Sequence, residues 1–262
     1  MHTIVLATQK GGSGKSTLAI GLALAARQTG RIVRLIETDQ QGTLSRWQSR
    51  RGISDLLVET VYGADEIEPR LQLLARHGAT LAIMDTASGM SATTTAAIRH
   101  ADFCMIPARP SIADIEASIP TLASVRAWRK PFAFVLNQTP IRGQRISDAA
   151  AALGDKAARE LDEVLARPFI VMRNDHQDAL AAGLAVSEFS PLGKSANEIR
   201  DLWRWVERRL NAGVGADAVS AASDLEFPII LAPDRARLPT EAEVEQALPA
   251  LGEGSIAWDA GL

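Results

Sequence analysis

Short apolar runs recur along most of the chain, at residues 3–8, 32–37, 80–85, 103–107, 132–137 and 168–172. Each has the length of a strand. Inside each run apolar residues follow one another instead of alternating with polar ones, the mark of a strand buried on both faces. Longer segments with helical spacing separate them, at 15–29, 66–77, 112–128, 147–166, 175–182 and 195–211. Short apolar strands alternating with helices predict an α/β fold: a mostly parallel, twisted sheet with helices on both faces. In such sheets ligands sit at the carboxyl ends of the strands, so the polar residues that follow each apolar run are the ones to examine.

The pattern changes after residue 212. Residues 213–223 are small and polar like a linker, 227–232 fit a strand, and 240–248 fit a short helix opened by Thr240. We therefore expect a body at 1–212 and an appendage at 213–262. Charge follows the same division. The appendage holds nine acids and two bases, a net of −7, so the body carries +4 of the overall −3. A mildly basic body with an acidic tail is compatible with nucleic-acid binding without demanding it.

Composition removes several classes. With 47% apolar and 23% charged residues in a chain of 262, a sizeable core is expected. Cys104 is the sole cysteine and sits in an apolar run, so it reads as a core residue, and disulfide frameworks or cysteine-based metal sites within one chain are excluded. His2, His77, His100 and His176 share no metal-ligand spacing. The chain opens directly on a strand, and no apolar stretch approaches a spanning helix, which predicts a cytoplasmic protein.

The first strand is followed by Gln9-Lys10-Gly11-Gly12-Ser13-Gly14-Lys15-Ser16-Thr17 and then by a helical run. Glycines let backbone N–H groups approach phosphate oxygens without a Cβ in the way. A helix N-terminus adds its dipole. Lys15 suits the β- and γ-phosphates of a nucleotide, and the Ser16 hydroxyl suits Mg²⁺. Gln9 stands where the usual phosphate-loop pattern has its first glycine. Asp85 closes an apolar run of four residues, and a carboxylate at the end of a buried strand needs a partner or a metal.

These strings resemble the ParA/MinD family of P-loop ATPases, whose deviant Walker A motif has the form K-G-G-x-G-K-[ST]. The resemblance continues in Glu37-Thr38-Asp39-Gln40-Gln41-Gly42, similar to the family's D-x-D-P-Q-G switch I. It extends to Ala82-Ile83-Met84-Asp85-Thr86, similar to its Walker B and switch II, to Ala101–Ala117, to Val135-Leu136-Asn137, to Met172-Arg173-Asn174 and to Gly183–Asn197. It covers about residues 1–210 and omits the tail; within it, ParA-type partition and positioning ATPases without an N-terminal DNA-binding domain are the nearest in pattern.

The resemblance implies a site. ATP and Mg²⁺ are the cofactors, and ATP hydrolysis the reaction, weak until a partner stimulates it. Gly11, Gly12, Ser13, Gly14, Lys15, Ser16 and Thr17 would hold the phosphates. Asn137, Met172 and Arg173 are nucleotide-binding candidates; a turn-forming role before Thr139-Pro140 competes for Asn137. Ser16 and, through water, Asp85 would serve the metal, with Asp39 a further candidate. Lys10 would reach across a homodimer to the partner's ATP, so Lys10, Lys15 and Asp39 form the catalytic set. Asp39 would hold or activate the attacking water; capping a helix from Thr43 is its alternative. Glu37 and Gln40 replace the family's aspartate and proline, which puts the timing of the switch in question and not nucleotide binding.

Family members of the ParA type bind DNA nonspecifically as ATP dimers and position plasmids, chromosomes or protein assemblies, with a ParB-like or adaptor protein as activator. Candidate DNA contacts are Lys194, Arg200, Arg204 and Arg208, the three arginines spaced i, i+4, i+8 on one helix face. Pairing with Glu198, Asp201 and Glu207 is the competing reading. Trp203 and Trp205 are expected to pack. A nucleoid-associated, non-membrane protein follows. A MinD-like membrane switch is the first alternative, opposed by an acidic tail ending Trp258-Asp259-Ala260-Gly261-Leu262. A metabolic or metal-handling P-loop enzyme is the second, opposed by the lone cysteine.

Overall fold

A computed structural model describes residues 1–53, 55–140 and 164–212. These all lie in the first of the chain's two units, Met1–Leu225; the appendage expected from residue 213 lies outside the described residues. Six strands form one all-parallel sheet: β1 (His2–Leu6), β2 (Val33–Glu37), β3 (Val58–Thr60), β4 (Leu81–Asp85), β5 (Phe103–Ala108) and β6 (Phe132–Leu136), in the order β3-β2-β4-β1-β5-β6. Helices α1 (Lys15–Gln28), α2 (Thr43–Arg51), α3 (Ile67–Arg76), α4 (Ala92–Arg99), α5 (Ile112–Glu116) and α6 (Ile119–Ala127) fill the connections. After them come α7 (Asp175–Ala181), α8 (Val186–Phe189) and α9 (Lys194–Asn211).

Both faces of the sheet are buried, which is why the strands read as unbroken apolar runs. Along β1, Ile4 and Leu6 join one cluster with α1, Trp47 and Trp203, while Val5 and Ala7 join the other with Ile67, Leu71 and Ile98. Along β4, Leu81 and Ile83 likewise face the first cluster and Ala82 and Met84 the second. Cys104 is fully buried in β5, and burial pushes its thiol up to about 12, as expected of an inert core residue. Trp203 is buried, and Trp205 meets Phe103 edge-on with centroids 6.2 Å apart, so both tryptophans pack.

Four expectations change. The helix expected at 112–128 is two, because Pro120 lies in the first turn of α6 and has no N–H to continue the ladder from α5. The strand expected at 168–172 is not a regular strand. Thr139 and Val171 form only an isolated bridge, since Gln138 at φ 55° turns the chain after β6 out of register. Leu165, expected in a helix, bridges Phe134, and most of that helix lies outside the described residues. Helices α4 and α8 and strand β3 were not anticipated as elements of their own, and α2 only as the helix from Thr43 that Asp39 could cap.

Candidate nucleotide site

The central strands deliver the site. Leu6, Asp85 and Glu37, the last residues of β1, β4 and β2, lie side by side in register. Beyond them the phosphate loop runs from Ala7 to Gly14. Gly12 and Gly14 hold φ of 72° and 90°, and a Cβ on Gly14 would stand 2.2 Å from the Asn137 amide nitrogen. Both reasons require glycine.

Three side chains from the ends of β5 and β6 grip the outer side of this loop. Arg109 Nη2 and Gln138 Nε2 donate to the Gly12 carbonyl at 2.8 and 3.0 Å, and Asn137 Nδ2 donates to the Ser13 carbonyl at 2.7 Å. Carbonyls fixed outward leave the amide-lined side of the loop for an anion. Gly14 is also the N-cap of α1 and brings no side chain to its first-turn amides. Asn137 Oδ1 accepts from the Gln138 N–H at 2.9 Å, so both ends of this amide serve the loop and the turn after β6.

Lys15 is buried, and its Nζ donates to Ser88 Oγ at 3.1 Å. Burial lowers its pKa against the attraction of Asp85 and Asp39. The Ser16 side chain lies close enough to Asp85 to favour its ionised form. Asp85 is 1% exposed, and among the described residues its Oδ1 has no hydrogen-bond partner. Burial pushes this carboxyl up to about 7; Ser16 and Lys15 oppose the shift, and the charges of Glu37 and Asp39 add to it. An orphaned oxygen beside a hydroxyl, at the foot of a phosphate loop, fits a hydrated Mg²⁺.

This carboxyl gives the nucleotide-free protein a pH signature. Its folded pKa lies above the ordinary 3.8, so ionising it opposes folding. The associated stability is present at low pH, is lost as pH climbs from about 4 to about 7, and stays lost above that. Asp85→Asn is therefore expected to match wild type near pH 4 and to exceed it by about 2–4 kcal/mol at pH 8. Urea titrations at the two pH values measure the gap, and an equal gap at both would remove the argument.

Glu37 is fully buried but fully occupied. Its carboxylate accepts from the Leu44 N–H at 2.6 Å, the Ser45 N–H at 3.2 Å and the Ser45 hydroxyl. It thus caps α2 from the end of the sheet. Asp39 does not: its Oδ1 accepts from the Gln41 N–H at 2.9 Å, a local turn two residues long. The cap considered for Asp39 belongs to Glu37, whose extra methylene spans the gap. Asp39 is left half-buried at the mouth of the site.

Lys10, on the same loop, is turned away from its own phosphate cradle, with Nζ 2.7 Å from Asp114 Oδ2 at the start of α5. Of the remaining candidates, Ser13 is buried, Gly11 exposed and Thr17 half-buried at the loop's end. Arg173 does not face the loop; it makes a two-pronged pair with Glu198 on α9, at 2.8 Å each, and Met172 is 60% exposed beside it. Arg109, Gln138 and Asp114 were not singled out beforehand.

On α9, Lys194, Arg204 and Arg208 are exposed, while Arg200 donates to the Pro191 carbonyl and Asn197 Oδ1. Of the acids expected to pair with this stripe, only Asp201 does, with Arg204. Glu198 is held by Arg173 and Glu207 by Arg31. Arg204, Arg208, Trp205, Phe169 and Arg167 line a groove of about 640 Å³.

Residues 4–186 match the CobQ/CobB/MinD/ParA nucleotide-binding domain. The chain belongs to this family, and within it to the ParA/MinD-type P-loop ATPases. The "Maintenance of carboxysome distribution protein A" of Halothiobacillus neapolitanus is 28% identical over 202 residues, 74% of this chain and 90% of that protein. Among solved structures, the MinD cell division protein of Aquifex aeolicus superposes with a TM-score of 0.64 at 16% identity, covering 79% of this chain and 98% of that one. An ATP complex of a Cyanothece McdA variant superposes with a TM-score of 0.62 at 19% identity, covering 80% and 96%. Among the described residues, no helix is long and apolar enough to cross a membrane.

Proposed function

We propose that two copies of this protein close around ATP, that the ATP dimer holds DNA without sequence preference, and that hydrolysis, stimulated by a ParB-like or adaptor protein, resets it. The observation that carries this reading is the loop's division of labour. Lys15 lies inside the cradle, whereas Lys10, on the same loop, points out of it and is 40% exposed. A lysine so placed serves no phosphate in its own chain and is available to a second copy.

In the closed state the loop amides and the N-terminus of α1 take the phosphates, and Lys15 leaves Ser88 for the β- and γ-oxygens. Ser16 and, through water, Asp85 would hold Mg²⁺, which supplies charge neutralisation on the β- and γ-phosphates. Asp39 orients the attacking water in line with the γ-phosphate. Asn137 contributes by fixing the loop. Met172 and Arg173 enter the nucleotide pocket only if the Arg173–Glu198 pair opens. The protein would then act on the nucleoid in the cytoplasm, with residues 213–262 as an appendage to the ATPase body. For cargo, relatives named for carboxysome distribution favour a protein assembly over a plasmid.

The DNA face is the α9 end of the molecule: Arg204 and Arg208 with Arg167, joined by Lys194 and Arg200 along the helix. If three arginines each neutralise a phosphate, affinity falls roughly fortyfold between about 50 and about 200 mM salt. Fluorescence anisotropy with random-sequence duplex DNA, run with ATP, ADP and no nucleotide at those two salt concentrations, tests the reading. Tight, salt-sensitive binding with ATP alone is expected. Absence of binding in every state would overturn the DNA role and turn attention to a membrane or small-molecule partner.

A further inference from the structure

The ion pair between Lys10 and Asp114 joins a loop residue turned away from the cradle to a carboxylate that is buried and fixed. Asp114 is 5% exposed. The Ser111 hydroxyl donates to the same Oδ2 at 2.6 Å, and the Asp114 N–H donates back to Ser111 Oγ at 3.2 Å. The carboxylate therefore cannot rotate to follow the lysine. Burial raises its pKa, but the hydrogen bonds from Lys10 and Ser111, with the charges of Lys10 and Arg109, more than offset this and hold it below the ordinary carboxylate range. It is ionised at any working pH, and Lys10 is its cationic partner. The loop end of the pair is the mobile one: Lys10 is 40% exposed on an unbranched four-carbon stem.

Lys10 cannot lie on Asp114 and on a neighbour's phosphate together. We infer that Asp114 is a positioning residue that parks Lys10 within its own chain in the monomer, so that dimer closure must first exchange an intramolecular carboxylate for an intermolecular phosphate. This rests on the ATP-dimer reading above and adds a regulatory element to it. The parked lysine stabilises the monomer, and a ligand shifts such an equilibrium only by its difference in affinity for the two states. Cross-linking by Lys10 should therefore be won by ATP, which offers a γ-phosphate, and lost with ADP.

The test measures dimerisation by sedimentation velocity with a non-hydrolysable ATP analogue, for wild type, Asp114→Asn and Ser111→Ala. Asp114→Asn keeps the shape but removes the charge that holds Lys10, and about three- to tenfold tighter dimerisation is expected, the size of a partly exposed charge pair. Ser111→Ala keeps the charge but frees the carboxylate, and a smaller shift in the same direction is expected; it also serves should Asp114→Asn fail to fold. ADP affinity of the monomer should not move, because the pair touches no phosphate in its own chain. In a Lys10→Ala background Asp114→Asn should change nothing. Dimerisation in Asp114→Asn equal to or weaker than wild type overturns the parking role alone. A wild-type chain that stays monomeric with the analogue overturns the dimer reading and the parking role with it.

Discussion

Lys15→Ala is expected to weaken ATP and ADP binding at least about 100-fold, the scale of removing one partner from a desolvated charge contact. Two effects act together. The first is the loss of the cation itself, which is buried inside the cradle and has only the Ser88 hydroxyl to leave before reaching a phosphate. The second passes through Asp85. Lys15 is one of the two influences that hold the Asp85 carboxyl down against burial. Without it Asp85 stays protonated further above pH 7 and is a poorer partner for a hydrated cation. The fold should survive, because burial of the Lys15 ammonium already works against its charge. Calorimetry with ATP and with ADP reads the affinities, and retention within tenfold of wild type would overturn the phosphate-loop assignment.

Asp39→Ala is expected to separate binding from turnover. In the nucleotide-free chain this carboxylate holds only the Gln41 N–H, and the helix behind it is capped by Glu37. Removing it should leave ATP affinity within a few-fold of wild type. If it orients the attacking water, single-turnover hydrolysis should fall by about 10²–10⁴, and the variant should accumulate as an ATP dimer. Turnover at the wild-type rate would reduce Asp39 to a turn residue.

Most of the sheet and the heart of the site were legible in the sequence because both depend on local pattern. A strand buried on both faces is mostly apolar, so β1, β2, β4, β5 and β6 announced themselves, β2 despite Arg34. The phosphate loop did so through its glycines. What was missed lacks such a signal. Helix α2 (TLSRWQSRR) is polar but for Leu44 and Trp47, and its third buried residue is Arg51, which pattern reading assigns to solvent. Helix α4 begins with Ala92 and then three threonines, which are poor helix formers, and owes its start to the Ser91 hydroxyl accepting from the Thr94 N–H. Edge strand β3 has three residues.

The site residues that were missed act across large separations. Arg109 and Gln138 meet Gly12 from 97 and 126 residues away, and nothing local marks them. Asp114 carried a faint signal, since Ser111-x-x-Asp has the spacing of a capping box; its pairing with Lys10, 104 residues away, is a property of the fold. Arg173 differs in the other direction. Its position in the motif suggested the nucleotide, but its guanidinium matches Glu198 across α9.

The anchoring of α2 has a mechanical consequence. Glu37 pins its first turn to the sheet. At its other end the fully buried Arg51 side chain bonds both Asp55 and Glu188, joining α2 to α8. A rod clamped at both ends cannot carry the Asp39 carboxylate by swinging, so any movement of Asp39 is confined to the tether 38–42. If Asp39 orients the attacking water, the clock of the reaction is set by the torsions of five residues and can be made faster or slower without loosening the nucleotide or repacking the core. Gln40, in place of a ring that would stiffen that tether, stands where such a clock is regulated.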